Sequence, residues 1–211
     1  MEYETIAGPV DAEIEISRSR FLARLERVDT EAAAREVIAA VRAEHPRARH
    51  HCSAFVLGAA QRILRSNDDG EPSGTAGAPM LDALVSAGLS DVVAVVTRYF
   101  GGVLLGAGGL TRAYRAAVAE AVRDAPRVRR AERRELRVRT GYDIAAQVEA
   151  EARRRGWTVG DAEYGEAVEQ AYLVPEADRG ALAALAAELS SGSAVLVPGG
   201  LAYVDLPVGA P

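Results

Sequence analysis

The 211 residues carry 25 basic and 30 acidic side chains, a net charge of −5, and are 49% hydrophobic, which is globular usage and far from a disordered composition; the length allows one domain or two compact ones. Every basic residue is Arg, which excludes a Walker A lysine, a Schiff-base lysine and a Ser-Lys dyad, and the acidic balance excludes wholesale coating of nucleic acid. The single cysteine, Cys52, excludes an intrachain disulfide and a multi-cysteine metal site and fits a reducing compartment.

Met1-Glu2-Tyr3-Glu4 has neither a basic nor an apolar leader region, and no apolar run approaches the ~20 residues of a membrane span, so a cytoplasmic location and no membrane partner are expected. Alternation over Ala12–Ser17 and again over Phe21–Val28 predicts an antiparallel pair of strands joined at Arg18-Ser19. Thr30 caps the next helix, whose Ala33, Val37, Ile38 and Val41 recur at helical spacing until Pro46. His51–Gly58 reads as a largely buried strand, with Ile63-Leu64 beginning a return strand. Asn67 to Gly77 is a loop, with Thr75 placed to cap a helix through Met80, Leu81, Leu84 and Val85.

Val92–Val96 is a β-branched run expected of a central strand covered on both faces, and Gly106–Gly109 leads into a helix with Leu110, Ala113, Tyr114, Ala117 and Ala121 on one stripe. Pro126 ends that helix, and a domain boundary follows, giving domains 1–128 and 129–211. Beyond it the predicted order is strand (135–139), helix (144–155), strand (158–164), strand (168–174), helix (179–189) and strand (201–206). That βαββαβ order is the ferredoxin-like pattern, and the whole chain is expected to be α+β.

Three segments carry candidate chemistry. Gly101, Gly102, Gly106, Gly108 and Gly109 lead to a helix start flanked by Arg98, Arg112 and Arg115, where amides and guanidinium forks would favour an anion; the same glycines also serve turns and close packing. Neither a dinucleotide fingerprint nor a Walker A motif completes there, and no cofactor is implied. Asp68, Asp69 and Glu71, with Ser73 and Thr75, offer carboxylates and hydroxyls to a ligand, a metal ion or a proton, although Asp-Asp-Gly is also good turn chemistry and the spacing is not that of an EF-hand. In His50-His51-Cys52, strand alternation sends His51 to the face opposite the other two, so Cys52 is expected to be a core residue, with His50 or His51 walling the glycine-lined site.

Ser19-Arg20-Phe21, His50-His51-Cys52, Asp68 to Gly77, Thr97-Arg98-Tyr99-Phe100-Gly101-Gly102 and Leu105 to Tyr114 together resemble the IMPACT (YigZ-type) family, over about Ser19 to Val122. The resemblance implies an N-terminal domain similar to the second domain of ribosomal protein S5 and a C-terminal domain similar to one in translation elongation factors. It also implies a link to translation or stress. The kinase pathway that eukaryotic members regulate is not carried over, because those contacts depend partly on an additional domain with no counterpart in this sequence. Leu104 and Ala78 stand where many relatives carry a basic residue, which lowers the phosphate affinity expected.

The leading expectation is a non-enzymatic regulator whose Gly/Arg-rich cleft binds RNA, the ribosome or a translation-associated protein, without sequence-specific DNA contact. Arg98 and Arg112 would clamp the anion and Tyr99, Phe100 and Tyr114 would offer stacking surface. The alternative is an enzyme or binding protein for a phosphorylated small molecule or nucleotide that uses the Asp68–Glu71 carboxylates. A third is protein docking by the C-terminal half, where nine Arg face thirteen Asp and Glu from Arg130 onward.

Overall fold

The computed structural model describes residues 1–208 and divides the chain into two compact units, Met1–Arg129 with the segment from Pro207, and Arg130–Leu206. The architecture is α+β, with two sheets and five α-helices among the described residues. None of these helices is long and apolar enough to cross a membrane.

In the first unit β1 is Glu2–Ile6, β2 Val10–Ile16, β3 Ser19–Arg27, α1 Glu31–Glu44, β4 His50–Leu57, β5 Ile63–Asn67, α2 Gly77–Ser86, β6 Val92–Tyr99 and α3 Gly106–Asp124. Five of the strands form an antiparallel sheet in the order β2-β3-β6-β4-β5. Strand alternation divides the core. Phe21, Ala23, Leu25, Cys52, Ala54, Val92, Ala94 and Val96 pack toward α2 and α3, whereas Phe55, Leu57, Val93 and Val95 pack toward Ala34 and Val41 of α1. β6 is therefore buried on both faces, which is why its sequence is an unbroken β-branched run.

Register fixes the polar end of this sheet. Arg98 stands opposite both Phe21 and His50, and Tyr99 opposite Arg20, so the starts of β3 and β4 and the end of β6 meet at one edge. Thr30 caps α1 as expected, its hydroxyl accepting from the Ala33 amide at 3.2 Å.

The second unit takes up β7 (Arg127–Thr140) from Arg130 and continues through α4 (Tyr142–Arg154), β8 (Thr158–Tyr164), β9 (Val168–Val174), α5 (Arg179–Leu189) and β10 (Val195–Pro207) as far as Leu206. β9 lies between β7 and β8, and β10 pairs with β7. Leu136, Val138, Tyr172 and Val174 of the sheet pack with Val148, Ala152, Leu182 and Leu185 of the helices. Two features differ from the sequence reading. β1 was not foreseen; its Glu4 and Glu2 form ion pairs with Arg127 and Arg129 at the start of β7, residues that belong to the first unit. β7 and β10 are longer than their apolar cores, because a ladder partner satisfies backbone groups whatever the side chains. The last residues of the predicted second domain, 209–211, lie outside the described residues.

Candidate functional site

The loop between β5 and α2 is organised around Asp68. Its carboxylate accepts from the amides of Gly74, Ala76 and Gly77 at 2.8, 3.0 and 2.8 Å, covering the otherwise open start of α2. Burial works to raise the Asp68 carboxyl, but these amides outweigh it and hold the group below the ordinary carboxylate range. The expected cap, Thr75, is corrected: its hydroxyl donates to the Pro72 carbonyl at 2.6 Å, and the N-cap position is Ala76 with no side-chain hydrogen bond of its own. Asp69 accepts from the His51 amide at 2.7 Å and from Arg42 at 2.8 Å; these bonds, against its burial, keep it ionised below the usual range too.

Glu71 is buried. One of its oxygens accepts from Arg98 and from the Tyr114 hydroxyl, each at 2.7 Å. The Arg98 guanidinium carbon lies 5.5 Å from the ring centroids of both Phe21 and Phe100, so the cation is held between two aromatic rings and against one carboxylate. Phe21 in turn meets Tyr114 edge to face at 5.2 Å. The two long motifs do fold against each other, but Arg98, 7% exposed, is neutralised inside the site and is not a free anion clamp. Arg112 does not join it. It is exposed on α3, off the buried stripe that carries Tyr114, and is not among the residues lining the cavity that holds Arg98.

Cys52 is fully buried, donates to the Asp68 carbonyl at 3.0 Å, and has its thiol pushed up by burial to about 12, the state of an inert core thiol. His51 donates through Nε2 to the His45 carbonyl at 3.1 Å on the α1 face, and burial lowers its pKa. His50 donates through Nδ1 to the Asp69 carbonyl at 3.0 Å and is half-buried.

A cavity of about 460 Å³ opens at the polar edge of the sheet, lined by Arg47, Ala48, Arg49, His50, Arg98, Tyr99, Phe100 and Leu104. A second, of about 450 Å³, shares Arg47 and Tyr99 with it and adds Arg20, Leu22 and His45. Arg47 and Arg49 are exposed and have no carboxylate partner among the described residues, whereas Arg20 is bound by Glu13. Sequence reasoning missed Arg47 and Arg49; the available signal was a basic Arg-x-Arg turn directly before His50.

The glycines of the 101–109 segment do not line the cavity. Gly101 is required because a Cβ there would come 1.9 Å from the Arg18 carbonyl oxygen, and Gly102 has a φ of +85°, in the left-handed region. Ser73 is exposed at the loop surface, while Thr75 is buried beneath it. Asp68, Asp69 and Glu71 all have partners already, and no cluster of three metal-ligating side chains occurs among the described residues.

Comparison with known proteins accords with the motif reading. The model of the Impact N-terminal domain matches residues 17–122, and that of a domain of unknown function (DUF1949) matches residues 138–193. The chain is similar to "IMPACT family member YvyE" of Bacillus subtilis, at 40% identity over 96% of this chain and 94% of that protein. It is also similar to "IMPACT family member YigZ" of Escherichia coli, at 39% identity over 90% and 95%. A solved structure described as "Crystal structure of an hypothetical protein" superposes with a TM-score of 0.66 at 37% identity, covering 94% of this chain and 98% of the other. With the Asp68–Gly77 and Arg98–Tyr114 motifs folded into one site and relatives matching nearly end to end, the chain belongs to the IMPACT family.

Proposed function

We propose that this chain is a non-enzymatic RNA-binding protein acting in translation or stress response, and that the cavity beside His50 is its contact with RNA or the ribosome. The observation that carries this reading is the pairing of two arginines without a carboxylate partner among the described residues, Arg47 and Arg49, with the aromatic walls Tyr99 and Phe100 in one cavity. Planar guanidinium forks suit phosphate oxygens, and exposed rings suit unstacked bases. Weighing against the alternative of an enzyme for phosphorylated small molecules, Asp68, Asp69 and one oxygen of Glu71 are already engaged by backbone amides, Arg42, Arg98 and Tyr114.

For the fold family, the layout of α1 on one face of the first sheet and α2 and α3 on the other supports a likeness to the second domain of ribosomal protein S5. The β7-β9-β8 order with β10 on β7 supports the ferredoxin-like pattern in the second unit.

Co-sedimentation with ribosomes at two salt concentrations tests the functional reading. Association at low salt, lost at high salt and weakened by Arg47→Ala with Arg49→Ala, is expected. No association at low salt, or association indifferent to both substitutions, overturns it.

A further inference from the structure

Phe100 is 55% exposed and Leu104 87%, and both stand in the wall of a cavity whose other residues include Arg47 and Arg49. Two large apolar groups left in water beside cations with no carboxylate partner among the described residues make an amphipathic site, suited to a ligand that is flat and apolar in one part and anionic in another. We infer that the cavity takes single-stranded RNA, with one unstacked nucleobase on the free face of Phe100 against Leu104 and the adjoining phosphates on Arg47 and Arg49. This inference rests on the RNA-binding reading above and names the form of RNA bound.

Arg98 explains why Phe100 is ready for such a base. The guanidinium sits 5.5 Å from the Phe100 centroid and 5.5 Å from Phe21, and its place is fixed by the 2.7 Å bond to buried Glu71. Phe100 is thereby supported on one side by a cation that cannot wander, while the rest of the ring stays open to solvent. A platform fixed before binding loses little conformational freedom on contact, which favours affinity. The Arg98 Nε, buried and without a hydrogen-bond partner, belongs to a residue of the same cavity wall.

Charge complementarity chooses the occupant. The backbone of a single strand brings a phosphate beside every base, as the site brings Arg47 and Arg49 beside Phe100. A duplex keeps its base faces stacked on one another, so it can reach the arginines but not the ring. The volume, about 460 Å³, is of the size that encloses a small ligand and suits one nucleotide with its flanking phosphates.

Fluorescence anisotropy of the full-length protein with a labelled oligoribonucleotide of about eight nucleotides, alone and annealed to its complement, tests the inference. The single strand is expected to bind about tenfold more tightly than the duplex, and Phe100→Ala to weaken single-strand binding about tenfold without altering its salt dependence. Phe100→Tyr should restore it, and thermal melting of both variants should match the parent, since the side chain is over half exposed. Equal affinity for the two forms, or single-strand binding indifferent to Phe100→Ala, overturns the inference while leaving RNA binding through Arg47 and Arg49 standing. No binding of either form at low salt overturns both.

Discussion

Glu71 and Arg98 are taken out of water together, and the physics of a buried pair sets what each is worth. Removing one partner leaves an uncompensated charge, so Glu71→Ala is expected to cost about 3 to 5 kcal/mol in urea unfolding, and Tyr114→Phe, which deletes one hydrogen bond to the same carboxylate, about 2 kcal/mol. Equal small losses for both variants would mean that the pair is not desolvated as its geometry indicates. His51 gives a pH signature. Burial depresses its folded-state pKa below the ordinary 6.5, so between those values the unfolded chain binds more protons than the folded one and stability is lost as the pH falls. Stability should be complete above about pH 6.5 and decline by at most about 1.4 kcal/mol on going from about pH 7.5 to about pH 5.5. Urea midpoints for the parent and for His51→Gln at both pH values check this; an unchanged decline in the variant would assign it elsewhere. At this scale the sequence exposed Cys52 as a core residue, because alternation along β4 places it with Ala54 and Val56. It did not expose the role of Arg98, since a guanidinium beside a glycine cluster reads the same whether its partner is a ligand or a glutamate 27 residues earlier.

At the scale of elements, α2 begins where Asp68 gathers three amides, although that side chain lies eight positions before Ala76. Asp68→Ala should therefore destabilise the protein by about 2 kcal/mol, the upper end for a lost cap, and Asp68→Asn, which keeps one acceptor, by clearly less. Thermal melting of the two variants reads the difference, and identical melts would show that the amides find solvent instead. The helices and the central strand were legible because their signals are local: a 3.6-residue apolar stripe in α1 and α3, and an unbroken Val run in β6. Thr75 was misread for the complementary reason. A cap is recognised by proximity in sequence, and here a carboxylate brought over from the end of β5 took the place of the hydroxyl next to the helix.

For the whole molecule the charge of −5 makes any RNA contact a local affair of the cavity edge. Arg137, Arg154 and Arg155 of the second unit are bound to glutamates, so replacing each by Ala should leave RNA affinity and its salt dependence unchanged. Arg47→Ala with Arg49→Ala, by contrast, should flatten the slope of log K on log salt by about 1.4, the release of about two counterions on a single strand. Anisotropy titrations across a salt series separate the two sets, and a loss of affinity in the second-unit variants would move the binding surface. The sequence by itself determined the family, the order of most helices and strands, and the buried centre of the sheet, because motif spacing and apolar periodicity are written along the chain. Only the tertiary structure decided which arginines are left without a carboxylate among the described residues. Antiparallel register and loop packing set which cations meet a carboxylate, giving Glu71 to Arg98 and none among the described residues to Arg47 or Arg49, and that pairing is made across space between residues far apart in sequence.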